Sequence, residues 1–277
     1  MTSYCMPVLK CPICSGQFII YSSVSGNTSE GMFYTDGYIK APMFDPVDEL
    51  LECPECAQYI WRAESEEIKV YSENEYRNET TDTNLVNKVS AKKYFDALQK
   101  SVWNSNEQEI YLRTRVWWTF NDLFRKDQAE GMSKQLEQYI AISLDKFRHL
   151  TANSMAIRVD DAENLVENLW FVQHTLERIN SIVDIIDVAT PEFMVANQER
   201  LLELLLAEYK HISIKTEGNL VSEPENLLLQ IAEIYRELGR FQDCVDTLKN
   251  LTKEEYRNKA NIIRKLAQSG DCQVGSF

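Results

Sequence analysis

The stretches Cys11-Pro12-Ile13-Cys14 and Cys53-Pro54-Glu55-Cys56, separated by 38 residues, decide the fold of the first part of this chain. In each stretch two residues lie between the cysteines, so both sulfurs can point to one metal ion while backbone N–H groups of the tight turn face them. Two such turns supply the four ligands of a tetrahedral site. The sequence therefore predicts a four-thiolate metal site with the ligands Cys11, Cys14, Cys53 and Cys56.

We expect this site to hold a structural Zn²⁺ ion. Four protein ligands leave no coordination position for water, which is the arrangement of structural rather than catalytic zinc. A module this small has little core, so metal binding supplies much of its folding free energy, on the order of 10–16 kcal/mol in apparent terms at neutral pH. Iron in the same geometry and a dithiol redox couple are the alternatives. The other cysteines, Cys5, Cys244 and Cys272, are expected to be buried apolar side chains or incidental thiols.

The residues around the cysteines have the composition of a turn-rich β module. Five of the seven prolines and four of the nine glycines lie before residue 55. Short runs of aromatic and β-branched residues predict strands, and Asp36-Gly37 is a turn signal between two of them. The predicted strands are Gln17–Tyr21, Met32–Tyr34, Tyr38–Ile39 and Gln58–Arg62.

From about Leu9 to Arg62 the chain resembles a zinc ribbon, in which two such cysteine turns lie at the ends of β-hairpins. The resemblance implies a zinc-ribbon β module over residues 1–75. The spacer between the cysteine pairs is longer than in an ordinary ribbon and suggests an extra hairpin carrying Tyr34, Asp36 and Tyr38. This aromatic segment is expected either to pack against the rest of the protein or to form a recognition edge for a partner.

The charge of the chain restricts the classes of partner. Net charge is −14, and residues 1–80 carry −8 of it, with five Lys or Arg against thirteen Asp or Glu. Such a field repels phosphate backbones and anionic membrane surfaces. We therefore expect neither nucleic acid nor membrane as a partner. The acidity instead favours a basic protein.

The second part of the chain has the pattern of helices. The polar stretch from Ser72 to Asn84 is predicted to be a linker, and residues 84–277 form the predicted helical domain, with at least seven helices. Thr190-Pro191 is the start signal of one helix. The predicted apolar stripes begin at Leu85, Ile110 and Leu136, and further helix starts are predicted at Asp160, Ser222 and Thr252.

The clearest helix pair lies at residues 224–251 and resembles a tetratricopeptide repeat. Ala232 and Cys244 are small where the two helices approach closely, and Gly239 can adopt the left-handed conformation that ends the first helix. The matching positions are Leu228, Ile231, Ala232, Tyr235, Gly239, Phe241, Cys244 and Leu248. One good repeat is present, so the helical domain is expected to be a stack of helix pairs or a bundle. The fold class is then α+β.

A cluster on one predicted helix is the second candidate for partner binding. Arg115 and Trp118 share a helix face, and we expect them either to be buried between neighbouring helices or to form a peptide groove. Sequence signatures of catalysis are lacking: the chain contains no Gly-rich phosphate loop, no nucleophile elbow and no H-E-x-x-H motif. We therefore expect a protein that is not an enzyme.

These features together favour a bacterial, cytoplasmic adaptor that binds another protein through an acidic helical surface. The first residues do not have the pattern of a secretory signal. One alternative is an immunity or inhibitor protein that neutralises a basic toxin such as a nuclease. A second is a thiol-redox or chaperone protein acting through the four cysteines, and a third is a hydrolase within the helical part.

Overall fold

A computed structural model describes residues 3–29, 31–41, 48–72, 75–76, 84–86, 89–122, 125, 189–215 and 224–277. The predicted apolar stripe that begins at Leu136, the helix start at Asp160 and the cap at Ser222 lie outside these ranges. Within the part of the chain that the structure describes, helical segments with the apolar length of a bilayer crossing are absent.

The main sheet is built around one long strand that the sequence patterns did not indicate. Strand β1 (Ser3–Lys10) pairs antiparallel with β2 (Gln17–Ile20) and β3 (Ser22–Ser25) on one side, and with β8 (Glu66–Ser72) on the other. Strand β9 (Asn84–Val86) extends the sheet by pairing parallel to β2. Met6, Val8 and Ile19 are buried beneath the sheet.

Two short hairpins complete the β part. Strands β4 (Met32–Phe33) and β5 (Ile39–Lys40) flank the Asp36-Gly37 turn, where Gly37 has a φ of +83° that only glycine adopts easily. Strands β6 (Leu50–Glu52) and β7 (Tyr59–Trp61) form the other hairpin. The four strands predicted from the sequence are therefore present, each shifted or shortened by one or two residues.

Six helices are described after the sheet. They are α1 (Ala91–Gln99), α2 (Asn106–Asn121), α3 (Pro191–Lys215), α4 (Pro224–Glu237), α5 (Phe241–Leu248) and α6 (Arg257–Gln268). The Thr190 side chain accepts a hydrogen bond from the backbone N–H of Phe193 at 3.2 Å, which confirms the predicted start of α3. Leu85, however, lies in β9, so the helical pattern begins later than predicted. Residues 84–86 form a strand rather than the start of a helix, because one edge of β2 is available to pair with them.

The helix pair α4–α5 ends its first helix as the sequence predicts. Gly239 has a φ of +73°, its N–H donates to the carbonyl of Arg236, and the N–H of Arg240 donates to Tyr235 at 2.7 Å. These two hydrogen bonds together form a Schellman motif, which needs a residue in the left-handed conformation at that point. Ala232 and Cys244 have no exposed surface, and Ile263 of α6 packs in the same cluster. The expectation of an α+β protein, with small sheets followed by helices, is confirmed.

Three apolar clusters follow one another from the β6–β7 hairpin to the last helix. The first joins the β6–β7 hairpin to α1, α2 and the start of α3, with Trp61 and Leu112 at its centre. The second joins α2, α3 and α4 around Trp117 and Leu201. The third holds α4, α5 and α6 together. Each helix therefore packs on the next, and the β6–β7 hairpin packs on the first two.

Candidate metal centre

Two hairpins with the same backbone pattern position the four cysteines. Cys11 follows β1 and Cys53 follows β6, so each first cysteine of a pair stands at the end of a strand. The N–H of Cys11 donates to the carbonyl of Gly16 at 2.8 Å, and the N–H of Cys53 donates to Gln58 at 2.9 Å. Each turn is closed by a second bond, from Ser15 to Cys11 and from Ala57 to Cys53. The two turns are therefore equivalent in structure as well as in sequence.

Each turn places the residue after its second cysteine in the left-handed region. Ser15 has a φ of +64° and Ala57 a φ of +54°. A residue with a Cβ pays roughly 1–2 kcal/mol for that conformation. Both turns adopt this unfavourable conformation at the same position. It reverses the chain immediately after the second cysteine, so that both sulfurs of the pair face one point.

The four sulfur atoms form a cluster with the dimensions of a tetrahedral metal site. All four lie within 4.8 Å of one another. Across the two turns, the sulfurs of Cys11 and Cys56 are 3.9 Å apart and those of Cys14 and Cys53 are 3.6 Å apart. A tetrahedron with a zinc–sulfur distance of about 2.3 Å has sulfur–sulfur edges of about 3.8 Å. The four residues therefore fit a metal ion bound by four thiolates.

The electrostatics of the cluster favour a bound cation. Burial raises the pKa of the Cys11 thiol, but hydrogen bonds from the backbone of Cys14 and Ile13 lower it to about 7. A backbone hydrogen bond from Gly16 lowers the pKa of the Cys14 thiol, while partial desolvation and the three neighbouring sulfurs raise it to about 12. Four thiolates this close repel one another, and a divalent cation supplies the positive charge that lets all of them ionise.

The two cysteine turns approach each other closely over a small apolar core. A Cβ atom at Gly16 would lie only 2.2 Å from a carboxylate oxygen of Glu55, so the end of the Glu55 side chain packs directly against Gly16 where the turns meet. Cys11 and Cys53 are almost fully buried, whereas Cys14 is exposed. The core beneath the sulfurs consists of Leu9, Phe18, Ile20, Leu51 and Ile60. The site is thus closed on the Cys11 and Cys53 side and open to solvent on the Cys14 side.

Four of the five residues proposed from sequence for partner binding, Tyr34, Asp36, Tyr38 and Trp118, lie together in contacts within the chain. Asp36 has no exposed surface, its carbonyl accepts a hydrogen bond from the Trp118 indole at 2.9 Å, and its carboxylate pairs with Arg125. The rings of Tyr34 and Tyr38 stack 5.9 Å apart between this turn and α2. Of the two roles predicted for the aromatic segment, these contacts correspond to packing.

Arg115 lies at a separate contact, between α2 and the residues before β6. Its guanidinium is 2.7 Å from the Asp48 carboxylate and stacks 4.9 Å from the centre of the Tyr94 ring. Arg115 is mostly buried. This corresponds to the packing role that the sequence left open for it, rather than to an exposed groove.

A buried polar junction, which sequence reasoning missed, connects the β4–β5 turn to the helices. Asn121 donates from one amide nitrogen to Asp36 at 2.9 Å and to Glu237 at 3.0 Å. Trp117 also donates to Glu237, at 2.6 Å. Burial and the nearby charges of Glu233 and Asp36 raise the pKa of Glu237 well above its usual value. We define the polar junction by the residues Thr35, Asp36, Asn121, Arg125, Glu233, Arg236 and Glu237.

Arg236 extends this junction to the end of the described chain. It forms an ion pair with Glu233 at 2.6 Å and donates to the backbone carbonyls of Asp271 and Gln273. The segment that follows pairs with the β4–β5 hairpin, since Tyr34 forms a β-bridge with Ser276. The spacing of Glu233 and Arg236 on one helix was the only sequence signal, and it also fits an ordinary solvent-exposed pair.

Comparison with known proteins gives no further assignment. The chain was compared with protein-family models, with curated proteins and with solved structures, and no match was found in any of the three. The sulfur cluster, the polar junction and the charge distribution are therefore the observations on which a function has to rest.

Proposed function

We propose that this chain is a zinc-containing adaptor that is not an enzyme. Its zinc-ribbon module is stabilised by one structural Zn²⁺ ion, and the acidic protein, which also has a tetratricopeptide-like helical part, binds another protein in the cytoplasm through an exposed strand edge of its β module. The observation that carries the metal assignment is the cluster of four sulfurs, with edges of 3.6 Å and 3.9 Å across the two cysteine turns. Four thiolate ligands complete the coordination of zinc and leave no position for a reacting water.

Zinc is the favoured metal because of the ligand chemistry and the position of the site. Four thiolates bind zinc and iron alike, but the turns supply no residue that would tune a redox potential beyond their own backbone N–H groups. The cluster joins two hairpins around a small apolar core. A metal at this point contributes its binding free energy directly to folding.

Metal analysis of matched cysteine variants tests the first half of the proposal. Protein purified without added metal should contain one zinc ion per chain, and Co²⁺ exchanged into the site should give strong thiolate-to-metal absorption bands. Cys53→Ser should lose the ion. Cys244→Ser, which changes an equally buried cysteine in the helical core, should keep it.

Three results would contradict the zinc assignment. If the purified protein contained one iron ion per chain instead of zinc, the site would be assigned to the alternative metal. Equal loss of metal in Cys244→Ser would show that the assay reports unfolding rather than ligation. Metal-free protein with reversible disulfides among the four cysteines would instead favour the thiol-redox function.

The adaptor half of the proposal rests on charge and on one exposed strand edge. The net charge of −14 attracts a basic partner at long range. Strand β8 pairs with β1 along one edge, and no described strand pairs along its other edge. On this strand Ile68 and Val70 are 45% and 43% exposed. Free strand edges with exposed apolar side chains are sites where a partner can add a strand.

The test begins with affinity capture from the native host at low and high salt, followed by binding measurements with the purified partner. Ile68→Asp should weaken binding at least tenfold. Val195→Asp, which alters an equally exposed apolar residue on α3, should leave it unchanged. Association should slow as salt rises, because steering by surface charge is screened.

The identity of the partner decides between adaptor and inhibitor. A basic nuclease whose activity is abolished on binding would establish the immunity function. A salt-independent partner, or equal effects of the two variants, would contradict the proposed surface.

A further inference from the structure

A cleft of about 300 Å³ lies between the β4–β5 hairpin, the helices α2, α4 and α6, and the end of the described chain. Its volume is at the small end of the range found for small-molecule sites. A single ring system with one substituent fits a space of this size.

Aromatic rings form the walls of the cleft. Tyr38 lies between Tyr34 and Trp118, with ring centres 5.9 Å and 5.6 Å away. The Arg125 guanidinium stacks 4.4 Å from the centres of both tyrosine rings and has only 1% of its surface exposed. Because a buried ion pair fixes that guanidinium, the tyrosine rings it contacts are held in place before any ligand arrives. Such a wall suits a flat, aromatic ligand.

One cation stands at the rim of this aromatic cleft. The ammonium of Lys259 lies 5.7 Å from the ring centre of Phe33 and 5.5 Å from that of Phe277, and it lines the cleft. Among the residues that the structure describes, no carboxylate lies within ion-pair distance of Lys259, although the chain carries 43 acidic residues. A cation that an acidic protein leaves without an acidic partner is available to an anionic ligand.

Two side-chain amides complete the lining. Asn226 and Gln230 are separated by one turn of α4 and both face the cleft. Neither amide has a hydrogen-bond partner among the described residues, and neither has a buried atom left unsatisfied, so both are in contact with solvent in the cleft. Each amide can donate and accept, which allows it to recognise the polar edge of a ring.

We propose that this cleft binds a planar aromatic molecule that carries one anionic group, a carboxylate or a phosphate. The ring system lies against the aromatic wall of Tyr38 and Trp118, the anionic group pairs with Lys259, and the amides of Asn226 and Gln230 contact the polar edge of the ring. The proposal is independent of the metal centre and of the protein partner proposed above, since none of these residues belongs to either site.

Calorimetric titration with four probes tests the proposal. Indole-3-acetate and AMP carry the carboxylate and the phosphate, and indole-3-acetamide and adenosine are their neutral counterparts. At least one anion should bind with a Kd at or below the millimolar range, at least tenfold more tightly than its neutral counterpart. Binding of AMP alone, or of indole-3-acetate alone, identifies the preferred anion.

Two lysines of the same helix provide matched variants. Lys259→Gln should reduce the preference for the anion over its neutral counterpart to less than about threefold. Lys265→Gln, at an exposed position of α6 outside the cleft, should leave the preference unchanged. Thermal unfolding of both variants should match that of the original protein.

The proposal is overturned if neither anion binds at millimolar concentration, or if each neutral counterpart binds as tightly as its anion. It is equally overturned if Lys265→Gln lowers the anion preference as much as Lys259→Gln does. Because the comparison of anion with neutral probe uses the unaltered protein, the test does not depend on either variant folding.

Discussion

Replacing Arg236 by methionine should destabilise the protein by about 3–5 kcal/mol, the cost of leaving one member of a buried ion pair unpaired. Arg236 and Glu233 both have side chains that are 0% exposed. The guanidinium donates to the Glu233 carboxylate from Nε at 2.9 Å and from Nη2 at 2.6 Å. Methionine fills similar space but donates nothing, so a buried carboxylate would lose its cation. The two backbone carbonyls that also accept from Arg236 lie nearer the surface, where water can replace the guanidinium.

A second variant separates the charge effect from the loss of packing. In Glu233→Gln combined with Arg236→Met, neither charge of this pair is left without its partner, and the glutamine can still accept the hydrogen bond from the Thr35 hydroxyl. The double variant should therefore be more stable than Arg236→Met alone, by roughly 1–3 kcal/mol. An additive loss would mean that the two side chains do not act as a pair.

The assay is urea unfolding at pH 7, followed by circular dichroism. Arg240→Met is the matched control, because it changes an arginine one turn along whose side chain is 48% exposed and pairs with Asp243. Exposed pairs contribute about 0–1 kcal/mol, so the control should shift the midpoint little. The reasoning is refuted if Arg236→Met costs less than about 1 kcal/mol, or if the control costs as much.

Three further changes give smaller effects with definite signs. Trp61→Phe removes the indole donor that lies 3.1 Å from the Val102 carbonyl and should cost about 1–3 kcal/mol in urea unfolding, whereas an unchanged midpoint would contradict that bond. Burial raises the pKa of Glu109, but hydrogen bonds from Arg200 and Arg113 outweigh it and lower the pKa. The original protein should therefore be more stable than Glu109→Gln at pH 7, which is above the unfolded pKa of about 4.3. This difference in unfolding free energy should shrink as the pH falls through the lower pKa of the folded state, and urea unfolding at pH 7 and pH 3 checks the sign. Ala57→Gly relieves a residue with φ of +54° and should raise stability by up to about 1 kcal/mol, and a lower Tm would show that the turn is not strained.

Local chemistry made part of this structure predictable. The C-P-x-C spacing, Gly239 at the end of α4 and Thr190-Pro191 at the start of α3 each carry their structural demand within a few residues. Such features can be inferred from sequence because the groups that satisfy one another are neighbours in the chain. The four sulfurs are an exception, because the two cysteine pairs lie far apart in the sequence. The repeated C-P-x-C motif nevertheless made their contact predictable.

The polar junction could not be predicted, because its members lie far apart in sequence. The hydroxyl of Thr35 donates to Glu233, 198 residues later, and Asp36 pairs with Arg125, 89 residues later. Charged residues on helices are normally solvated, so no pattern in the sequence indicated that Glu233 lies in the interior. The strand β8 escaped detection for a related reason, since its side chains are mostly exposed and its pattern is not that of a buried strand.

The placement of the two cysteine pairs indicates what a bound metal would contribute at this point in the fold. The hairpin that carries Cys53 is fixed to the helices by two hydrogen bonds. The Tyr59 hydroxyl donates to Asp96 at 2.8 Å, and the Trp61 indole donates to the Val102 carbonyl in the loop after α1. The hairpin that carries Cys11 belongs to the main sheet, and among the described strands none pairs β6 or β7 with that sheet. Besides the short chain segment from β7 to β8 and a hydrogen bond from Arg62 to Ser22, a small apolar core and the four sulfurs connect the two. A bound ion would therefore add a strong further link between the sheet and the hairpin that packs on the helices, so losing it should loosen this junction before the helical core itself unfolds.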